Sequence, residues 1–166
     1  MHEIDASARI SPLADLETSQ RGSRLVIGAG AMIDAFVKLK FAGGSGDVII
    51  GAKSYINSGT VLYSGNGIRI GRDVLVAANC TFAPTNHTFA DRQIPIREQG
   101  FLPSRGGILV EDDVWIGANC VLLDGAIIRQ GAIIAAGSVV RGEVPAFAIF
   151  AGNPGKIIGQ RGEAGS

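Results

Sequence analysis

The sequence predicts an all-β protein, a parallel β-helix built from six-residue repeats, as one domain over residues 1–166. Three observations carry this. Isoleucine, valine, leucine or phenylalanine returns every sixth residue through most of the chain, as in "IGAGAM IDAFVK" from Ile27 and "IGANCV LLDGAI IRQGAI IAAGSV" from Ile116. The fifth residue of a hexad is mostly small: Ala31, Gly43, Ser54, Thr60, Cys80, Cys120, Ala126, Ala132, Ser138. Glycine supplies 24 of 166 residues without a collagen period, which suggests many tight corners. An α-helix needs apolar residues three and four apart, and a plain amphipathic strand needs them two apart. Spacing six means a short strand and then a corner, with one large and one small residue per hexad facing inward.

The frame runs from Ile4 ("IDASAR ISPLAD LETSQR") to about residue 145, room for six coils of three hexads. Residues 20–26 and 45–49 break it briefly and read as corner loops. The long break spans residues 87–107 and carries "ADRQIPIREQGFLPSRGG". A solenoid confines insertions to loops, and long loops in compact domains are usually functional or mobile. A tolerated insertion is the alternative. After Val140 the frame ends. Pro145 and Pro154 cannot donate to a ladder. Residues 146–166 read as a C-terminal cap, with "AGNPGKII" expected across the open end of the last coils and "GQRGEAGS" frayed.

Composition excludes several function classes. Lys+Arg and Asp+Glu balance at 15 each, so nothing global attracts nucleic acid or an anionic membrane. Aromatic residues at 6 % are too few for base-stacking platforms. Met1 leads into "HEIDASARI" with no leader pattern, and no apolar run approaches the ~18 residues that span a bilayer. The expectation is a soluble, cytoplasmic protein. Cys80 and Cys120 are too few for a disulfide framework or a thiolate metal site. Both fall at the small fifth position, so they read as buried and reduced.

His87 is the chemical centre of this reading. It ends the hexad "FAPTNH", where the coil opens into the long loop, and the only other histidine is His2. An imidazole ordinarily titrates near pH ~6.5, so its neutral form accepts a proton at neutral pH. Asp91, Glu98 or a backbone carbonyl could orient it. No metal is expected, because zinc needs three or four nitrogen, sulfur or carboxylate ligands. Trp115 ends "VEDDVW", a position that points outward, and an exposed indole there contacts a ligand or another subunit. Asn57, in "INSGTV", could hydrogen-bond a hydroxyl-rich ligand or simply turn a corner.

The segment "NHTFADRQIPIREQG…GGILVEDDVWIGANCVLLDGAII…IIAAGSVVRGEVPAFAIFAGNPGKII" resembles the hexapeptide-repeat acyltransferases, above all the acetyl-CoA-dependent O-acetyltransferases of sugars and polysaccharides. The likeness covers the C-terminal two-thirds in motif detail. It implies a left-handed helix, which the spacing alone does not decide. It implies an acetyltransferase with acetyl-CoA as donor and a sugar hydroxyl as acceptor. His87 would be the base, with direct attack on the thioester and no acyl-enzyme. Asn57 and Trp115 would bind the acceptor. Backbone groups around Ala118 and Ala136 would hold the thioester and pantetheine arm. Lys156 and Arg161 would meet the coenzyme A phosphates, although both suit ordinary solvated charge. It implies a homotrimer with sites between subunits, and His87, Asn57 and Trp115 on one wall. The chain departs from the galactoside enzymes at Ala118, where they have serine, and at Gly65, where their acidic acceptor ligand falls beside Asn66. Their cofactor-facing lysine falls on Gly142, next to Arg141. "LLDGAII" replaces a proline-glycine corner, read as structural only. Rival readings are a xenobiotic or amine acetyltransferase of the same fold and a non-catalytic trimeric platform.

Overall fold

The computed structural model describes residues 2–162. The stretch expected to fray lies outside the described residues from position 163 onward. Three parallel sheets form the faces of a triangular column. Sheet A stacks His2–Ile4, Leu25–Ile27, Val48–Ile50, Ile68–Ile70, Ile108–Val110, Ile127–Ile128 and Glu143–Val144. Sheet B stacks Arg9–Ile10, Met32–Ile33, Tyr55–Ile56, Leu75–Val76, Trp115–Ile116, Ile133–Ile134 and Ala148–Gly152. Sheet C stacks Asp15–Leu16, Lys38–Lys40, Val61–Tyr63, Thr81–Ala83, Val121–Leu123 and Val139–Val140. The chain visits A, B and C in turn, giving six complete coils and part of a seventh. Among the described residues no helix is long and apolar enough to cross a membrane.

The hexad dictates this geometry. Its first residue points inward and is sealed: Ile33, Ile56, Val76, Ile116 and Ile134 are at most 2 % exposed along sheet B, as are Leu39, Leu62, Phe82, Leu122 and Val140 along sheet C. Its fourth residue turns the corner with positive φ. Glycine does this at Gly30, Gly59 and Gly137, and asparagine or aspartate does it at Asp73, Asn79, Asp113 and Asn119. Phe36 and Phe147 also hold this strained conformation, at φ 62 and 59.

The fifth residue is small for a polar reason as well as a steric one. Ser54 Oγ donates to the Gly71 carbonyl at 2.7 Å, Thr60 Oγ1 to Ala77 at 3.4 Å, and Cys80 and Cys120 Sγ to Gly117 and Ala135 at 3.2 Å each. In each case the acceptor is the second residue of the matching hexad one coil on. A buried hydroxyl or thiol thus ties each corner to the next and satisfies a carbonyl that the ladder leaves open. Both cysteines are free and buried, as their hexad position implies.

All the breaks in the repeat fall on one edge. Residues 17–24, 41–47, 64–67 and 84–107 each connect sheet C to sheet A, here termed the CA edge. Arg24 stitches two of these loops: its backbone N–H and guanidinium meet Asp47 at 2.8 Å and hold that carboxyl below the usual range. The long loop is anchored where it returns. Asp124, 3 % exposed, accepts the Gly107 N–H on Oδ1 at 2.9 Å, and on Oδ2 the Arg105 N–H at 2.8 Å and the Asn66 amide at 3.2 Å. The structural part that "LLDGAII" plays is thus the Asp124 clamp on the returning loop.

The C-terminal segment also differs from expectation. Gly155–Gln160 folds back antiparallel on Ala148–Gly152 and extends sheet B by one strand, rather than lying across the open end. Ile157 and Ile158 stay 51 % and 60 % exposed. Ile157 pairs with Phe150 at the sheet edge, and Ile158 is the extra residue of a bulge beside it.

Two outcomes follow. Ser54→Ala leaves the Gly71 carbonyl and the Val74 N–H, which Ser54 Oγ accepts at 3.0 Å, without their buried partner. It should cost about 1–3 kcal/mol and lower the melting temperature by roughly 3–10 °C by calorimetry. Asp124→Ala should free the loop, so that trypsin cuts after Arg92 or Arg97 several-fold faster while far-UV circular dichroism is unchanged. Asp124→Asn keeps one acceptor oxygen and should fall between the two. Equal cutting rates in all three proteins would show that the clamp does not hold the loop.

Candidate active site

His87 stands at the neck of the long loop. Its backbone pairs antiparallel with Phe101, the Thr88 N–H donates to the Gly100 carbonyl at 3.0 Å, and the Leu102 N–H donates to Asn86 at 2.8 Å. The neck is therefore a short hairpin, and the Asp124 clamp holds its returning arm five residues later. The imidazole is exposed and tilts against the Phe101 ring, centroids 4.7 Å apart. Among the described residues nothing hydrogen-bonds its nitrogens. Asp91 and Glu98, which chain proximity offered as orienting groups, do not reach it: Asp91 accepts the Gln93 N–H at 2.8 Å, and Gln99 ties the Asp91 and Ile94 carbonyls across the loop. The Phe101 ring packs against the imidazole instead, a contact with no sequence signal beyond the loop's composition.

A second line of candidates follows the edge between sheets B and C, the BC edge. Asn57, Ala118 and Ala136 all lie in its corners, on the third, fifth and sixth coils. Asn57 Nδ2 donates to the Val76 carbonyl at 2.8 Å, so its amide braces the corner below it. Ala118 and Ala136 stack directly, with the Gly137 N–H donating to the Ala118 carbonyl at 2.9 Å. Gly117 permits this approach, since a Cβ there would sit 2.6 Å from the Ala136 nitrogen. The Ala118 and Ala136 N–H groups have no acceptor among the described residues. Lys156 continues the line one coil on: it pairs with Ala151, and Gly152 beside it donates to Ser138 Oγ at 3.0 Å in the same corner.

Trp115 projects from face B, 50 % exposed, in an outward column between Leu75 and Ile133. Arg161 lies at the opposite edge of that face. Its guanidinium meets Asp113 at 2.8 Å over the Gly131 corner, so it is engaged within the chain. The expected single wall is thus not formed within one chain. His87 is on the CA edge, Asn57 on the BC edge, and Trp115 on the face opposite His87. Sheet C separates the two edges by roughly 15 Å, at ~3.3 Å per strand residue. The position within a hexad foretold inward or outward, but not which corner.

The cysteines offer no alternative chemistry, because both are sealed inside the column at 0 % exposure. The contact between them draws the Cys120 thiol down to about 7 and pushes the Cys80 thiol well above its ordinary range. Among the described residues no group of three or more His, Cys, Asp or Glu side chains could hold a metal ion.

Known proteins resemble this chain in sequence and fold. The family described as bacterial transferase hexapeptide (six repeats) matches residues 107–142, and the hexapeptide repeat of succinyl-transferase matches residues 46–81. A protein of Escherichia coli (strain K12) named for O-acetyl transfer in lipopolysaccharide biosynthesis, WbbJ, is 30 % identical over 142 residues, covering 82 % of this chain and 69 % of that protein. A hexapeptide-repeat-containing acetyltransferase of Vibrio cholerae O1 biovar eltor, solved with acetyl coenzyme A, superimposes with a TM-score of 0.73 at 28 % identity, over 82 % of this chain and 71 % of that one. The N-acyltransferase AntD of Bacillus cereus, solved with dTDP and 3-hydroxybutyryl-CoA, superimposes with a TM-score of 0.80 at 23 % identity, over 96 % of this chain and 82 % of that one, a likeness of fold. The chain belongs to the hexapeptide-repeat acyltransferases, and its column is their left-handed parallel β-helix.

Proposed function

We propose that this chain transfers an acetyl group from acetyl-CoA to a hydroxyl of a sugar or polysaccharide precursor, with His87 as general base. The observation that carries the reading is the placement of His87: an exposed imidazole with unengaged nitrogens, on a neck braced at both ends. The name of WbbJ and the acetyl coenzyme A in the Vibrio cholerae structure support the donor and the hydroxyl acceptor.

The chemistry is one addition and one elimination. An imidazole nitrogen takes the hydroxyl proton as the oxygen attacks the thioester carbonyl. The tetrahedral oxyanion accepts hydrogen bonds from backbone N–H groups such as that of Ala118. Collapse breaks the carbon–sulfur bond, and the thiolate leaves with the proton from the imidazolium. The products are the acetyl ester and coenzyme A. The Ala136 N–H suits an amide carbonyl of the pantetheine arm, and Lys156 suits a phosphate. We assign no phosphate to Arg161, which Asp113 already holds. Asn57 and Trp115 would contact the acceptor.

The separation of edges supports a site between subunits. Proton transfer needs heavy atoms about 3 Å apart, and sheet C lies between His87 and the Ala118–Ala136 line. A neighbouring chain that packs its BC edge against the CA edge of this one brings them together. Such a heterologous contact closes as a ring, here proposed as a homotrimer of single-domain subunits. Exposed Phe89, Ile94 and Ile96 on the loop give the contact apolar surface to bury. With acetyl-CoA as donor, the reaction belongs in the cytoplasm.

His87→Ala should lower kcat by about 10²–10⁴-fold with acetyl-CoA and a confirmed acceptor. Near wild-type turnover would remove His87 as the base. An acceptor panel of sugars and amines, read by free coenzyme A release, separates O- from N-acetyl transfer. Calorimetry with acetyl-CoA tests the non-catalytic platform. Assembly can be tested by co-refolding two inactive proteins, His87→Ala and Ala136→Trp, in equal amounts. A site needs His87 from one chain and an intact BC edge from the next, so about a quarter of the sites in a random ring should work. No recovery of turnover would place the site within a single chain.

A further inference from the structure

We propose that Phe101 is a positioning residue for His87: its ring holds the imidazole in one orientation at the neck of the loop and leaves both nitrogens free. This deepens the acyl-transfer reading and rests on it for the proton that His87 takes. The spectroscopic part of its test does not require turnover.

The neck is built to bring these two rings together. The Thr88 N–H donates to the Gly100 carbonyl and the Leu102 N–H to the Asn86 carbonyl, so hydrogen bonds flank His87 and Phe101 and none joins them. Such a non-hydrogen-bonded pair is the closer of the two antiparallel kinds, with Cα atoms about 4.5 Å apart and side chains on the same face. The ring centroids are accordingly 4.7 Å apart, with the planes at 41°. Both arms of the neck are tied to the column. One continues from the strand Thr81–Ala83, and the other runs on to Arg105 and Gly107, whose N–H groups are fixed on Asp124. A slip of one residue would send one ring to the opposite face.

The contact is singular. Among the described residues it is the one ring-to-ring contact, and nothing else holds the imidazole. The neck fixes the backbone of His87, but the side chain is exposed. Without a neighbour such a side chain samples about three χ1 wells and two ring orientations. A carboxylate would fix the ring by occupying one nitrogen. A phenyl ring restricts its rotation, occupies neither nitrogen, and can neither give nor accept a proton. Phe101 is also not a core residue. It is 48 % exposed and stands apart from the packed cluster, in which Phe82 is sealed. The column does not depend on its ring.

The test has two parts, both on the full chain. His2 and His87 are the only histidines, so each imidazole Cε1–H gives one signal in proton–carbon NMR. The Phe101 ring current should displace the His87 signal. Phe101→Leu should remove that displacement, and Phe101→Tyr should keep it. His2, whose ring meets the Glu17 carbonyl at 2.9 Å, should not move in either. In turnover with acetyl-CoA and a confirmed acceptor, Phe101→Leu should lower kcat about five- to thirtyfold. KM for acetyl-CoA should stay within about twofold, and Phe101→Tyr should recover most of the rate. The double variant His87→Ala/Phe101→Leu should be no slower than His87→Ala, because the phenyl ring acts only through the imidazole. A His87 signal that Phe101→Leu leaves in place, an unchanged kcat in that variant, or a further loss in the double variant overturns the proposal. So does faster trypsin cutting of the loop in Phe101→Leu, which would make the ring a strut of the hairpin. Near wild-type turnover in His87→Ala would instead sink the base, with the His87–Phe101 contact still read by NMR.

Discussion

The parallel backbone ladder between coils is the constraint on which the rest of this molecule depends. Each strand is only two or three residues long through the column, so no strand is stable alone. Each is held by the coil before it and the coil after it. Register is set by stacked inward residues such as Ile56, Val76, Ile116 and Ile134, because a slip of one residue would turn this column outward. The hydroxyls and thiols of Ser54, Thr60, Cys80 and Cys120 add side-chain ties along the same direction. An insertion within a strand would break two ladders at once. Insertions are therefore restricted to corners, and here they gather at one.

Asp124 is where that rigidity is passed to the long loop. A buried carboxylate is costly unless its oxygens are hydrogen-bonded. Here the three donors come from two neighbouring segments, Asn66 on one side and Arg105 with Gly107 on the other. The residue satisfies its own burial only when the loop has returned to the column. Together with the His87–Phe101 bridge this braces both arms of a segment more than 20 residues from strand to strand. The proposed base is thus placed by the column, although it sits outside it.

Much of this was legible in the sequence, and the failures have a common origin. The six-residue period, the inward first residue, the small fifth residue, the outward Trp115 and the buried cysteines all follow from position within a hexad. What position within a hexad omits is the hexad's place within a coil. Asn57 follows a second-sheet strand, His87 follows a third-sheet strand, and Trp115 lies on the second sheet itself, so residues that looked like neighbours diverged to different sides. Counting hexads in threes would have revealed this, and would have put the breaks after residues 16, 40 and 83 on the same edge. The Asp124 clamp was hidden for another reason. An aspartate before glycine is ordinary turn chemistry, and only the returning loop gives its carboxylate donors. The C-terminal hairpin was not legible because Pro154 argued against further pairing, whereas it falls in the turn between Gly152 and Gly155 and leaves both flanking strands free to pair.

The same edge geometry bears on why the proposed chemistry would need more than one chain. A triangular column offers three faces and three edges, and its rigidity forbids bending one edge toward another. The loop edge can carry a base because corners accept insertions. The BC edge keeps regular corners, and its Ala118 and Ala136 N–H groups, without an acceptor among the described residues, follow one another at a fixed coil-to-coil spacing. A loop-bearing edge cannot provide that spacing, and a regular edge cannot hold an inserted base. Two kinds of edge are therefore needed. Joining unlike edges of identical chains is a heterologous contact, which either closes or grows without limit. In a column of triangular section the two edges flank one face, so the turn that joins them is of the order of a third of a circle. The proposed ring of three fits the triangular section that the hexad imposes.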